Sequence, residues 1–237
     1  MMKTELKLSG VDEYFTQEAF NVLRTNIQFC GQDVKMIAIT SCTMNEGKSF
    51  VSLHLGRSLS EIGKRVLVID ADMRKSVMAG RNSNAKKAQG LSEVVTGQAK
   101  LTDCIYFTQY ENLHVMFAGK YPPNPVELLN TSHFDSLLKA ARGSYDYVII
   151  DTPPLGMVID AAVIAAKCDG AVLVIGNSHV KYPQAQDVVQ QLQKVGCNVL
   201  GAVLNNAEKK GSGYYRHKKG YGYGYGYGYY AHDSKTS

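Results

Sequence analysis

The sequence lacks any run of about 18 apolar residues and lacks cysteines at paired spacing. No segment is therefore predicted to cross a membrane. The amino-terminal stretch MMKTELKLSG has no apolar core behind its lysines, which argues against a signal peptide. The five cysteines are scattered along the chain, so we expect neither a disulfide framework nor a zinc site. Together these absences predict a cytoplasmic protein with reduced thiols.

The sequence also has little net charge. Its formal charge is +5, and part of the positive charge falls within the last thirty positions rather than on a folded surface. The basic residues concerned are Lys209, Lys210, Arg216, Lys218 and Lys219. Since nucleic-acid binding depends on a basic surface patch, we expect no nucleic-acid partner.

Aliphatic side chains are nearly absent after position 206. Residues 220–230 alternate glycine with tyrosine, a composition that offers nothing to bury in a core. We therefore predict a folded domain over 1–206 and a disordered, Tyr-rich C-terminal tail over 207–237. A Gly-rich coil of this length reaches roughly 30 Å, which would bring it to a neighbouring molecule.

Short apolar runs separated by helix-length segments fill positions 36–204. The runs at 36–40, 66–69, 113–117, 148–150, 171–175 and 199–204 are apolar throughout, as strands buried on both faces require. Segments 49–62, 126–141 and 184–194 have the length of helices, and 13–29 has apolar residues at helical spacing. The fold class is therefore α/β, a doubly wound and mostly parallel sheet with helices on both faces.

A phosphate-binding loop is predicted after the first strand. Gly47, Lys48 and Ser49 provide the tight turn, the phosphate-binding cation and the hydroxyl for Mg²⁺ that a P-loop uses. Cys42 stands where the usual pattern has its first glycine, and a simple helix-capping turn is the alternative interpretation of this short motif.

Three carboxylates follow the second and fourth of these apolar runs. Asp70 and Asp151 each end a predicted strand, and Asp72 lies two residues beyond the first. Ligands of open α/β sheets bind outside the carboxyl ends of the strands, so these acids should face a bound nucleotide. Such a cluster is better explained by metal binding than by helix capping.

The chain resembles the bacterial tyrosine kinases of capsule and exopolysaccharide synthesis, in the form whose kinase is a separate chain. The resemblance covers almost the whole length and rests on residues 40–49, 66–74, 122–129 and 149–154 and on the tyrosine tail. It implies a P-loop NTPase fold and an ATP-dependent kinase that phosphorylates tyrosines of its own tail in trans, and so regulates polysaccharide synthesis and export.

The resemblance also implies a role for particular positions. ATP would contact Thr43, Met44, Asn45, Glu46, Gly47, Lys48, Ser49 and Phe50. Mg²⁺ would be held by Ser49, Asp72 and Asp151, while Lys48 and Asp70 would be catalytic, with Asp70 as the base toward tyrosine. The phosphoacceptors would be Tyr214, Tyr215, Tyr221, Tyr223, Tyr225, Tyr227, Tyr229 and Tyr230.

Partners are implied in the same way. They are a membrane-embedded activator, or polysaccharide co-polymerase, that recruits the kinase to the inner face of the membrane, and a tyrosine phosphatase that opposes it. A ring of subunits would form through the N-terminal assembly helix at about 13–30, with Glu18 and Arg24 at the interface. Asn21 replaces an arginine of the family's assembly motif, and Arg74 is a candidate for an ion pair between subunits.

The sequence departs from the family pattern at a second place, and two alternative functions stay open. Met44 and Asn45 replace the family's Pro-Gly, and we expect Asn45 to tolerate the left-handed backbone that glycine would adopt. One alternative is a switch ATPase of the MinD/ParA type, although such proteins carry a signature lysine where Thr43 stands. The other is a regulatory scaffold that binds nucleotide weakly.

Overall fold

The computed structural model describes Thr4 and residues 13–81, 88–176 and 180–206. Within these residues, helices and strands alternate along the chain. The helices are α1 Glu13–Phe29, α2 Lys48–Glu61, α3 Val77–Arg81, α4 Leu91–Val95, α5 Pro125–Leu129, α6 Ser132–Ser144, α7 Asp160–Ala165 and α8 Tyr182–Lys194. The strands are β1 Met36–Ser41, β2 Val66–Asp70, β3 Tyr106–Phe107, β4 Leu113–Met116, β5 Tyr147–Asp151, β6 Gly170–Gly176 and β7 Val199–Asn205.

The strands form one sheet in the order β3-β4-β2-β5-β1-β6-β7. Every pair is parallel except β3 with β4, which is antiparallel. Strand β1 lies between β5 and β6, so its carboxyl end opens at the centre of the sheet, where α/β folds place their ligands. The predicted doubly wound, mostly parallel sheet is confirmed.

The core lies in two layers, one on each face of the sheet. Successive strand residues point to opposite faces, so Ile37 and Ile39 of β1 pack in the layer under α1 and α2. Met36 and Ala38 pack in the other layer, which includes Phe134 of α6. All six residues of β1 are buried, which is the double-sided burial that a parallel sheet requires.

Three sequence-based expectations need correction. The segment 126–141 is two helices, because Thr131 caps α6 by accepting a hydrogen bond from the Phe134 amide at 3.4 Å. Strand β7 is not buried throughout, since it lies at the edge of the sheet and Leu204 is largely exposed. The antiparallel strand β3 was not predicted, because two residues give no periodicity to detect.

Candidate active site

The loop between β1 and α2 has the backbone of a phosphate-binding loop. Gly47 caps α2 with φ of 93°, a left-handed conformation that favours glycine. Asn45 also has positive φ, at 62°, so it adopts the left-handed backbone expected of it. The loop therefore leads directly into the amino terminus of a 14-residue helix, whose free N–H groups and dipole attract anions.

Glu46 holds this loop in place from inside. Its buried carboxylate accepts hydrogen bonds from the Thr43 amide, from the Thr43 hydroxyl at 2.8 Å and from the Gly176 amide of β6 at 2.9 Å. The Glu46 carbonyl accepts another from the Asn205 side chain at 2.9 Å. The loop is thus fixed by contacts to β6 and β7, which sequence reasoning did not identify. The only available signal was a polar residue, Asn205, at the end of the last apolar run.

Lys48 begins α2 and extends back along the loop. Its side chain is buried, and Nζ donates to the Ser41 hydroxyl at 3.0 Å. Burial lowers the pKa of this amine, while the charges of Asp151, Asp72 and Glu46 oppose the shift. The ammonium group is therefore surrounded by loop and strand ends, which is the position a cation needs to contact terminal phosphates.

Asp70 and Asp151 lie side by side at the ends of neighbouring strands. They are register partners in the pairing of β2 with β5, and both carboxylates are almost completely buried, with exposures of 0% and 1%. Burial raises the pKa of Asp151 to about 7, and it raises the pKa of Asp70 well above its usual range, with further help from the Asp151 charge. The structure thus brings Asp70 and Asp151 together at the carboxyl ends of β2 and β5.

Hydrogen bonds differ between these two carboxyl groups. Asp151 accepts a hydrogen bond from the Ser52 hydroxyl of α2 at 3.4 Å, and the nearby Ser49 hydroxyl lowers its pKa, against the effect of burial. Asp70 accepts from the Asp72 amide at 3.1 Å and from the Ser76 hydroxyl. Asp151 is therefore joined to the P-loop helix, whereas Asp70 is joined to the turn that follows β2.

The oxygen atoms around Ser49 suit a magnesium ion. Such ions in nucleotide sites take one hydroxyl and one or two carboxylates, with phosphates and water completing the shell. The Ser49 hydroxyl lies close enough to Asp151 to lower the pKa of that carboxyl, and the charge of Asp72 acts on both Lys48 and Asp151. Within the described ranges, no three His, Cys, Asp or Glu side chains form a metal site by themselves. The site fits an ion that arrives with a nucleotide.

Arg74 forms an ion pair with Asp160 of the same chain, whereas the sequence analysis considered an ion pair between subunits. Its Nε and a terminal nitrogen donate to the two carboxylate oxygens of Asp160 at 2.8 and 3.0 Å. Asp160 is buried at the start of α7. The ion pair lies within one chain, so the turn after β2 is tied to the loop after β5.

An open cleft of about 110 Å³ lies beside Lys48 and Asp72. Its walls are mostly apolar. The lining residues are Met44, Asn45, Lys48, Asp72, Arg74, Lys75, Val77, Pro153, Pro154, Met157 and Val158. The cleft is therefore bounded by the P-loop, the turn after β2 and the loop after β5.

The remaining predicted residues lie elsewhere. The Phe50 ring packs against Phe20 and His54 between α1 and α2. Arg24 donates to the carbonyl and hydroxyl of Ser58 in α2 at 2.9 and 3.0 Å. Asn21, in turn, accepts from the Ser58 hydroxyl, and its side-chain amide donates to Glu18. All eight predicted phosphoacceptors, 214–230, lie outside the described residues.

The fold and this loop together define a P-loop nucleotide-binding domain. Comparison with known proteins shows which family of such domains the chain belongs to. Residues 34–199 match the family described as AAA domain. Tyrosine-protein kinase CpsD of Streptococcus agalactiae is 42% identical over 199 residues, which cover 84% of this chain and 87% of that protein. The chain belongs to the AAA domain family and, within it, to the bacterial tyrosine-protein kinases.

Solved structures agree with this assignment. The kinase domain of Escherichia coli tyrosine kinase ETK matches with a TM-score of 0.78 at 33% identity, over 86% of this chain and 80% of that one. The septum site-determining protein MinD of Pyrococcus horikoshii, solved with Mg-ADP, matches with a TM-score of 0.60 at 28% identity, over 72% and 69%. Similarity to the kinases is greater, which favours the kinase over the switch ATPase. Among the described residues, no helix is long and apolar enough to span a bilayer.

Proposed function

We propose that this tyrosine kinase transfers the γ-phosphoryl group of ATP to tyrosines in the C-terminal tail of a neighbouring copy. The phenol oxygen forms a bond to the γ-phosphorus, and the bond from that phosphorus to the β,γ-bridging oxygen breaks as ADP leaves. The observation that carries the proposal is the direct connection of the P-loop helix to the strand-end acids, through the hydrogen bond from Ser52 to Asp151 with Ser49 nearby.

The loop residues Thr43 to Phe50 would bind the phosphates through backbone N–H groups, and Lys48 would neutralise charge on the terminal phosphates. Ser49, Asp72 and Asp151 would hold Mg²⁺, which supplies charge neutralisation at the transferred group. Metal binding needs an ionised carboxylate, so we expect Asp151 to lose its proton when Mg-ATP binds, given its pKa of about 7.

Asp70 is the proposed acceptor of the phenol proton. In the described structure both of its oxygens already accept hydrogen bonds, one of them from Ser76. The turn after β2 would therefore have to release the Ser76 hydroxyl before Asp70 could contact a tyrosine. Asp72, which lines the cleft, is the competing base. Asp70→Asn tests the assignment, since loss of the base removes turnover while Mg-ATP binding persists, whereas Asp72→Asn also removes a proposed Mg²⁺ ligand and should weaken Mg-ATP binding as well.

The proposal for the wider role rests on the resemblance to the bacterial tyrosine kinases of capsule and exopolysaccharide synthesis. We propose that the domain over 1–206 assembles into a ring through α1, with Glu18 and Arg24 at the interface. A membrane-embedded activator would recruit it, and a phosphatase would oppose it. Each phosphate adds nearly two negative charges to a tail that contains Lys and Arg, so successive modification would loosen the ring and regulate polysaccharide export.

Transfer in trans is testable with two variants of the full chain. One carries Phe at all eight tail tyrosines and is a competent donor without acceptors. The other carries Lys48→Met and keeps its tail. Phosphotyrosine on the Lys48→Met chain after mixing, in the presence of the activator segment, supports transfer between copies. ATP hydrolysis without phosphotyrosine on either chain would instead indicate a switch ATPase.

A further inference from the structure

The cleft beside Lys48 has walls that phosphate binding does not explain. Met44 is 47% exposed and Met157 is 53% exposed, and Val77 adds a third partly exposed apolar side chain. Pro153 and Pro154 complete the apolar surface. A triphosphate and its metal are bound by N–H groups, cations and carboxylates, so they have no use for thioethers and proline rings. The apolar walls therefore fit a flat ring, either the base of the nucleotide or the side chain of a second ligand.

The loop that carries Met157 is built as a fixed wall. The amides of Met157 and Val158 both donate to the Pro154 carbonyl at 3.1 Å. The Leu155 amide donates to the Thr40 hydroxyl at 3.2 Å. A Cβ atom on Gly156 would lie 2.2 Å from the Cys42 carbonyl oxygen, so the loop packs directly on the P-loop backbone. Met157 is thus held at the cleft rather than on a free surface.

The polar residues of the cleft mark it as the end where the phosphoryl group is transferred. Lys48 and Asp72 both line it, and they are the residues nearest to the terminal phosphate in a P-loop site. Arg74 lines it too, with its guanidinium fixed by Asp160. A ligand in this cleft would therefore have an apolar body and a polar tip that points toward Lys48 and Asp72.

We propose that this cleft binds the side chain of the acceptor tyrosine, with Met44 and Met157 against its ring. This inference rests on the proposed function and adds the residues that recognise the substrate. A phenol ring is flat and apolar with one hydroxyl at its tip, which matches the walls and the polar end of the cleft. Thioether sulfurs make favourable contacts with aromatic rings, and the flexible methionine side chain adapts to them. Serine has no ring to fill the cleft and therefore gains none of these contacts.

Steady-state kinetics on the full chain with its activator segment test the proposal. The acceptor is a synthetic peptide with the sequence of residues 219–230, supplied in excess over the tail. Met157→Ala is expected to raise KM for the peptide about three- to tenfold and to leave KM for ATP unchanged, since one ring contact is lost. Ile159→Ala is the matched control, because Ile159 is 54% exposed nearby but does not line the cleft. An unchanged peptide KM in both Met44→Ala and Met157→Ala would overturn the proposal.

A binding experiment separates this proposal from the kinase mechanism. The full-length Asp70→Asn chain, labelled with ¹³C at methionine methyl groups, is titrated with N-acetyl-tyrosinamide. Ring-current shifts at the Met44 and Met157 methyls, assigned with Met→Leu variants, are expected, and N-acetyl-serinamide should cause none. Shifts produced by adenosine in place of the tyrosine amide would assign the cleft to the nucleotide base and refute the tyrosine site. This titration stays informative even if the wild type forms no phosphotyrosine.

Discussion

The side-chain amide of Asn205 occupies the space beside Gly47 that a Cβ atom would need. A Cβ built on Gly47 lies 1.9 Å from Asn205 Nδ2, which itself donates to the Glu46 carbonyl at 2.9 Å. Gly47 is therefore required for two reasons, its positive φ and the close approach of β7. The last strand of the sheet thus shapes the phosphate loop at the other end of the sequence.

Replacement of this glycine should disable nucleotide binding. In Gly47→Ala the new methyl group forces the Asn205 amide to abandon Glu46, and the left-handed backbone costs about 1–3 kcal/mol. We expect ATP affinity to fall at least about tenfold in equilibrium binding. The double variant Gly47→Ala/Asn205→Ala removes the clash but keeps the backbone strain, so it should recover only part of the loss. Full affinity in Gly47→Ala would show that the contact is unimportant.

The Glu46 carboxylate should matter through the loop rather than through contact with phosphate. Glu46→Gln replaces one acceptor oxygen by an NH₂ group that faces the Thr43 or Gly176 donors, so a buried hydrogen bond is lost. We expect weaker ATP binding by about three- to tenfold with an unchanged kcat at saturating ATP. Glu61→Gln, an exposed change at the far end of α2, serves as control. A fall in kcat at full saturation would contradict a positioning role.

The Arg74–Asp160 ion pair should stabilise the folded chain. Arg74→Ala leaves the buried Asp160 carboxylate without its two strongest donors, at a cost of about 2–3 kcal/mol in the free energy of unfolding. Urea unfolding at neutral pH measures the difference, with Lys75→Ala as the neighbouring control. The double variant Arg74→Met/Asp160→Leu should be more stable than Arg74→Ala. Equal stability of Arg74→Ala and the wild type would contradict the importance of the pair.

His54 makes stability depend on pH. It stacks on Phe20 with ring centroids 5.0 Å apart, and within the described residues its Nε2 has no hydrogen-bond partner. Burial, with the nearby Arg57 charge, lowers the His54 pKa to about 4. The unfolded chain takes up this proton below about pH 6.5 and the folded chain does not. Stability is therefore complete above pH 6.5 and falls as the pH drops toward 4, by up to about 3 kcal/mol.

A substitution at this position checks the assignment. His54→Phe keeps an aromatic ring between the helices but has no group to protonate. Unfolding free energies of both chains, measured in urea at pH 7.5 and at pH 5, should converge at the higher pH and separate at the lower one, with the variant more stable. If the variant loses as much stability on acidification as the wild type, another group is responsible.

Burial and local backbone chemistry made much of the site predictable. Strands β1, β2 and β5 are buried on both faces and therefore read as unbroken apolar runs, which located Asp70 and Asp151 at their ends. Gly47 and Asn45 are residue types that tolerate a left-handed backbone, and both adopt it in the loop. These features depend on a few neighbouring residues, and such features can be recognised in a linear sequence.

Long-range contacts were not predictable in this way. Asn205 is 159 positions from Glu46, and Arg74 is 86 positions from Asp160, so their pairing depends on strand order and not on any local pattern. The full burial of Asp70 also follows from the strands on either side of β2. The apolar cleft likewise combines three separate loops. Single-sequence reasoning identified candidate residues but could not supply these connections.

Phosphotyrosine formation tests the central claim most directly. The full chain is incubated with its activator segment, ATP and Mg²⁺, and modified residues are mapped by mass spectrometry. We expect phosphate on tyrosines 214–230 of the wild type and none in Lys48→Met or Asp70→Asn, with all three chains folded by circular dichroism. A wild type that hydrolyses ATP while every tyrosine stays unmodified would contradict the account, and so would an Asp70→Asn chain that phosphorylates at the wild-type rate.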